Sequence, residues 1–445
     1  MANEGLEPDM RLAPIPASET ASGGTVADAL RGLISGPPGV SHLLALATLI
    51  APTLALVIPL GIAPLFIVTA ILSLALSWRQ RPWTRLPLGL AVALLAIVAW
   101  AMVSASWSLD PWRSLRTALI LAGETFLGMT LLGTARSLDP AGRERVGTAL
   151  VAGVILGALV FAATVLLVGD LAAVLKRDTY AFSLSVRHLN RGVTVLVLLA
   201  WPGFIILSRR GNAVAAWSLI AAIGTVALVA VTLAAKIAMV MALAVMLVYG
   251  GRRRLAQRLV GSAIVLAIFA IPLGAAMLGG PQETAQWRFI PYSSHHRLSI
   301  WSFASQRIIE KPLLGWGMDS SRFIPGGDDE VVVSFAVPEN TPPFTLTEPM
   351  LPLHPHNAVL QWWLELGAVG ATLFALLLWR LTRLAAAPTV DPLTGNVAMT
   401  MLMSSLMIAA VSYGFWQSWW QATLWLLAVW MTAVATPGEG EIIKG

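Results

Sequence analysis

About twelve apolar stretches, each close to the length of a membrane helix, follow one another between residues 42 and 435. One bilayer crossing needs about twenty apolar residues. Inside lipid every backbone N–H and C=O must find its partner within the protein, so only helices and closed barrels cross. The stretches are continuous rather than alternating, which rules out a barrel. The chain is therefore expected to be an all-α polytopic membrane protein of about 12 transmembrane helices. Composition agrees, with 57% hydrophobic residues and 12% charged, against roughly 25% charged in a soluble domain. A soluble enzyme and a disordered chain are excluded. So is a nucleic-acid partner, because the net charge of +6 comes from scattered Arg rather than a basic stripe. The absence of Cys excludes disulfides and Cys-ligated metals.

Five regions are expected. Residues 1–41 form a polar N-terminal tail without the basic, apolar, small-residue layout of a cleaved signal. Residues 42–278 hold the first nine crossings, 279–355 a long loop, 356–435 three more crossings, and 436–445 a short tail. The Arg clusters at 79–85, 136–145, 209–210 and 252–258 all fall on the side of the two tails. The positive-inside rule then places both termini in the cytoplasm and the long loop outside. His188, His295, His296, His354 and His356 share that outer side, and only His42 does not. Longer outer loops alone could give the same asymmetry. No internal repeat is visible, which weakens a transporter reading.

Four outer places set cations or His beside a membrane helix. They are Arg187-His188-Leu189-Asn190-Arg191, Lys236, Arg297 and His354-Pro355-His356-Asn357. None of Arg191, Lys236 or Arg297 has an acid adjacent in sequence. Such cations suit a phosphate or diphosphate: Arg offers a planar fork, Lys a point charge, and a helix start free N–H groups. Snorkelling to lipid phosphates is the plainer reading of any one of them. In the tenth stretch His356 and Gly367 are eleven positions apart, which places them on one helical face, with Glu365 opposite. Gly367 and Gly370 then let a neighbouring helix approach. Residues 298–310 read as an interfacial amphipathic helix stopped by Pro312, with Arg297 at its beginning. Asp328-Asp329-Glu330 reads as a solvated acidic run, and no Gly-x-x-x-x-Gly-Lys-Ser/Thr loop marks a nucleotide site. The Trp residues read as interfacial anchors. Glu124 is a buried acid without an assigned role.

These segments resemble the O-antigen ligase family, which shares a superfamily with O-antigen polymerases and protein O-oligosaccharyltransferases. His356-Asn357, nine residues, Gly367, two residues, Gly370 is similar to the family's helix motif. Arg297…Trp301…Pro312-Leu313-Leu314-Gly315-Trp316-Gly317 resembles a second family segment, and Asn190-Arg191 the start of its conserved region. Many members have Ser-Arg where this chain has Ala235-Lys236. The resemblance implies a GT-C-like membrane glycosyltransferase at the periplasmic face of the bacterial inner membrane. It would move O-antigen polysaccharide from undecaprenyl diphosphate to a sugar hydroxyl of lipid A-core, inverting, with no metal, nucleotide or other cofactor. In that reading His356 is the general base, with His354 competing. Arg191 and Arg297 neutralise the leaving diphosphate, with Arg187, Lys236, Asn190 and Asn357 assisting. A polymerase, a protein-glycosylating relative, or a lipid-linked-sugar transporter are the alternatives.

Overall fold

The computed structural model describes residues 39–167, 186–249, 253–278, 292–334 and 345–435. A helix occupies every apolar stretch: α1 Val40–Val57, α2 Ile62–Ser77, α3 Leu88–Ser104, α4 Pro111–Arg136, α5 Pro140–Leu167, α6 Asn190–Arg209, α7 Ala213–Val229, α8 Leu233–Tyr249 and α9 Arg253–Ala276. After α10, Tyr292–Glu310, come α11 Ala358–Ala385, α12 Pro392–Val411 and α13 Ser418–Val434. Among the described residues nine helices are long and apolar enough to cross a membrane, and α7 and α8 are shorter apolar helices. The chain is a multi-pass membrane protein.

Local chemistry sets the helix boundaries. Asp110 and Asp391 each accept from a backbone N–H in the first turn of α4 and α12, and each is followed by Pro at the first helical position. At the centre, every residue of α6 from Gly192 to Ile206 is buried. A helix apolar on all sides belongs inside a bundle.

The two ends of the bundle differ. At one end Arg side chains tie helices together. Arg143 donates to the carbonyls of Thr432 (3.3 Å) and Ala435 (2.6 Å). Arg253 donates to those of Ala385 and Val390, both at 2.6 Å. Arg209 pairs with Asp391 at 2.8 Å. Cations bound to last-turn carbonyls are standard helix-end stabilisers. At the other end lie α10, the segment after it and the 412–417 connection.

The helical fold carries one small addition in the 279–355 loop: β1, Glu330–Ser334, pairs antiparallel with β2, Thr345–Pro349, with Glu330 opposite Pro349 and Ser334 opposite Thr345. Two expectations need correction here. The interfacial helix begins at Tyr292 rather than 298, so Arg297 stands in its second turn. Its inner face is Ile300, Phe303, Ala304 and Ile308, packed with Trp316, Leu351, Leu360 and Leu364. The second concerns Gly367 of α11, described below. Most of the 1–41 tail, the start of the 279–355 loop, and 436–445 lie outside the described residues.

Candidate functional site

The site is built on a break in α11. Gly367 has φ 65° and ψ −165°, a region open essentially to glycine alone. The break frees the carbonyls of Leu364 and Glu365. Trp316 N–H takes the first (2.9 Å) and Gly317 N–H the second (2.8 Å). In return Ala368 N–H donates to Pro312 O at 2.8 Å. A Cβ on Gly367 would stand 2.3 Å from Leu313 O. The helix-packing expectation for Gly367 is therefore wrong. Pro312–Gly317 and Gly367 are two halves of one backbone joint. The one-face argument fails with it, because α11 begins at Ala358 and His356 lies outside it.

Glu365, placed opposite the His face by the sequence reading, sits at the centre of this joint. It is fully buried. Its carboxylate accepts from Asp319 N–H (2.6 Å), Trp416 Nε1–H (2.5 Å), Gln361 Nε2–H (3.1 Å) and the Ser321 hydroxyl. A buried carboxylate is tolerated when several donors surround it. Gln361 Oε1 accepts from Phe415 N–H at 2.7 Å, which fastens the 412–417 connection to α11. Asp319, at φ 53°, accepts from Arg113 Nε–H (2.8 Å) and the Thr117 hydroxyl (3.1 Å) through Oδ2. The sequence did offer one signal for Glu365, an acid inside an apolar helix.

The two histidines hang at the entrance to α11. Asn357 caps that helix, its side-chain oxygen accepting from Val359 N–H (3.0 Å) and Leu360 N–H (3.2 Å). That oxygen is committed to the helix start. His356 has φ 52°, a left-handed conformation rare for a side chain of its size. Its Nδ1 lies 2.6 Å from Ser412 O. A carbonyl can only accept, so Nδ1 carries the proton and Nε2 keeps its lone pair. His356 N–H donates to His354 Nδ1 at 3.2 Å, and the two rings are 4.2 Å apart. Burial pushes the His356 pKa down. The Ser412 carbonyl opposes the shift, and Arg297 and His296 add to it. His354 is driven to about 3 by burial, with His356 and Arg322 adding.

Tyr413 joins the cations. Arg297 is half-buried and its pKa is lowered by burial, an effect that Tyr413 opposes. Arg191, in the first turn of α6, stacks 5.6 Å over the Trp419 ring. Both guanidiniums act on the hydroxyl of the half-buried Tyr413, which lies 3.5 Å from the Thr194 hydroxyl. Among the described residues the guanidinium of neither Arg191 nor Arg297 makes a hydrogen bond or ion pair, unlike those of Arg143, Arg209 and Arg253 at the opposite end. Arg187 is exposed in the turn before α6. Asn190 opens that helix with its Oδ1 buried and unpartnered. Lys236, half-buried in the first turn of α8, takes no part in this network. The structure thus gathers His356, Arg297 and Arg191 around Ser412 and Tyr413 and sets Arg187 and Asn190 in the turn beside Arg191, while Lys236 is not among the groups acting on Tyr413 or His356. Sequence reasoning missed Glu365, Gln361, Asp319, Tyr413 and Trp416.

Two cavities flank Gln417 and Ser418. One, about 390 Å³, is lined by Leu60, Ala63, Arg191 and Trp419. The other, about 170 Å³, is lined by Arg113, Asp319, Arg322, His354 and Trp416 among others. Glu124 is buried within α4.

Residues 232–375 match the family model described as O-antigen ligase. Over 252 residues the chain is 27% identical to a Rickettsia conorii protein named "Putative polysaccharide ligase", covering 56% of this chain and 58% of that one. It is 26% identical over 246 residues to the like-named protein of Rickettsia typhi, covering 54% and 57%. It is 35% identical over 136 residues to that of Rickettsia bellii, covering 30% and 31%. The chain thus spans little more than half the length of the curated relatives it matches.

Proposed function

We propose that this chain, whose residues 232–375 match the O-antigen ligase family model, transfers O-antigen polysaccharide from undecaprenyl diphosphate to a sugar hydroxyl of lipid A-core. Arg191 and Arg297 grip the diphosphate, and Leu60 and Ala63 open that cavity toward the bilayer for the polyprenyl chain. His356 Nε2 takes the proton of the acceptor hydroxyl. The acceptor oxygen forms a new bond to the anomeric carbon while the bond from that carbon to the diphosphate oxygen breaks. The electron pair leaves on undecaprenyl diphosphate, where the guanidiniums stabilise the growing charge. Attack opposite to the leaving group inverts the anomeric carbon. The donor arrives already activated, so the step calls for no nucleotide, and the cations supply the countercharge without a metal. Asn357 contributes by fixing the helix start behind His356.

The reading extends to location. The site face is periplasmic and the Arg-tied face cytoplasmic, with both termini on the cytoplasmic side of the inner membrane. The twelve helices on the apolar stretches are its crossings, in a GT-C-like arrangement with 279–355 as the periplasmic loop.

One observation carries the proposal. His356 donates its Nδ1–H to Ser412 O, leaving Nε2 as a basic nitrogen beside arginines that no carboxylate among the described residues neutralises. The test is reconstitution: purified chain in lipid nanodiscs, given undecaprenyl-diphosphate glycan and O-polysaccharide-free lipopolysaccharide. Glycan-capped lipopolysaccharide formed without ATP is the expected product. Lengthened glycan on undecaprenyl, transfer to a peptide, or translocation without bond formation would each overturn it in favour of the corresponding alternative.

A further inference from the structure

The smaller cavity has a different chemistry from the one at Arg191. The Arg191 cavity combines one cation, the Trp419 ring and apolar lining, which fits an anionic lipid headgroup. The other presents both signs. Asp319 uses only Oδ2 for Arg113 and Thr117, so its Oδ1 is uncommitted among the described residues. Arg322 has a buried Nε without a hydrogen-bond partner and makes no ion pair with Asp319. Trp416 lines the wall, held by its bond to Glu365. Gln361 and Gln417 add amides. An anion alone would meet the Asp319 carboxylate, and a cation alone would meet Arg322. A neighbouring pair of sugar hydroxyls satisfies both, donating to one and accepting from the other. The volume of about 170 Å³ is several times the ~30 Å³ that one water occupies in the liquid.

We infer that this cavity, between Asp319, Arg322 and Trp416, is the acceptor subsite and takes the hydroxyl-rich sugar of the acceptor lipid, while the Arg191 cavity takes the diphosphate lipid. The inference rests on the transfer reading above. It adds that the two substrates enter on either side of Gln417-Ser418, with His354 lining the acceptor cavity. Ile120, 41% exposed, stands at the mouth of the acceptor cavity, on the membrane-spanning α4.

The test measures two affinities on the full chain in nanodiscs, one for O-polysaccharide-free lipopolysaccharide and one for undecaprenyl diphosphate. Asp319→Asn and Arg322→Gln are expected to weaken lipopolysaccharide binding at least tenfold and to leave undecaprenyl diphosphate within twofold. Because Asp319 also holds Arg113, Ile120→Trp serves as a second variant: it fills the mouth without touching a buried hydrogen bond, and the same one-sided loss is expected. Excess inorganic phosphate should compete with undecaprenyl diphosphate alone. The inference is overturned if the variants weaken both lipids equally, if lipopolysaccharide affinity is unchanged in Arg322→Gln and Ile120→Trp, or if phosphate displaces lipopolysaccharide. Glycan transfer is read separately, so a chain that binds each lipid on its own side yet joins neither refutes the ligase reading while supporting the subsite.

Discussion

Gly367→Ala tests the joint on which the site stands. The residue lies at φ 65° and ψ −165°, and forcing a side chain into that region costs about 1–3 kcal/mol. The new Cβ would also stand 2.3 Å from Leu313 O and 2.6 Å from Gly315 N. Both are backbone atoms, so the 312–317 segment must withdraw. Withdrawal breaks the bonds from Trp316 N–H, Gly317 N–H and Ala368 N–H, each contributing about 1 kcal/mol. Together these come to roughly 4–6 kcal/mol, among the larger effects of a single substitution. The Asp319 N–H bond to Glu365 follows the same segment, so glycan transfer should fall with stability. The assay is thermal unfolding of the purified chain in one detergent, with Gly123→Ala alongside. Gly123 lies inside α4 with nothing within 4 Å of a Cβ, so alanine there should stabilise by about 0.5–1 kcal/mol. If Gly367→Ala melts with or above the native chain, the interlocked-backbone account is wrong.

Removing the cations should separate them. Arg191→Ala and Arg297→Ala are each expected to slow transfer by about 10²–10³-fold, the range for a lost charge-stabilising donor. Lys236→Ala, outside the Tyr413 network, should lose less than tenfold; equal losses in all three, measured as initial rates, contradict the clamp. The pH profile follows from His356. Burial holds its folded pKa below the ordinary 6.5, and the neutral form is the active one, so activity is kept as pH falls to 6.5 and lost only below it. Arg297 lowers that pKa, so residual activity in Arg297→Gln should fail at a higher pH than in the native chain; an acid limb that begins above pH 7 in the native chain, or moves down in the variant, refutes the assignment.

How much of this was legible beforehand follows from what each feature depends on. Helix positions depend on local apolar length, and the helices from Val40–Val57 to Ser418–Val434 stand on the stretches read from the sequence. His356, Arg297 and Arg191 were visible because charged or basic groups at a bilayer edge are conspicuous. The role of Gly367 was not, since a glycine in an apolar helix serves close packing as readily as a break. Its left-handed turn is imposed by a partner fifty residues away, about which local sequence says nothing. Glu365 was set aside because the helical wheel assumed an unbroken helix starting at His356. The ribbon escaped because Glu330–Ser334 is five residues beside a Gly-rich acidic run, too short for alternation to register.

The most direct test of the central claim is the rate of glycan transfer by His356→Ala under conditions where the native chain turns over. The chemistry assigned to Nε2 predicts a loss of about 10²–10⁴-fold with undecaprenyl diphosphate still bound at native affinity. Transfer within tenfold of the native rate would contradict it.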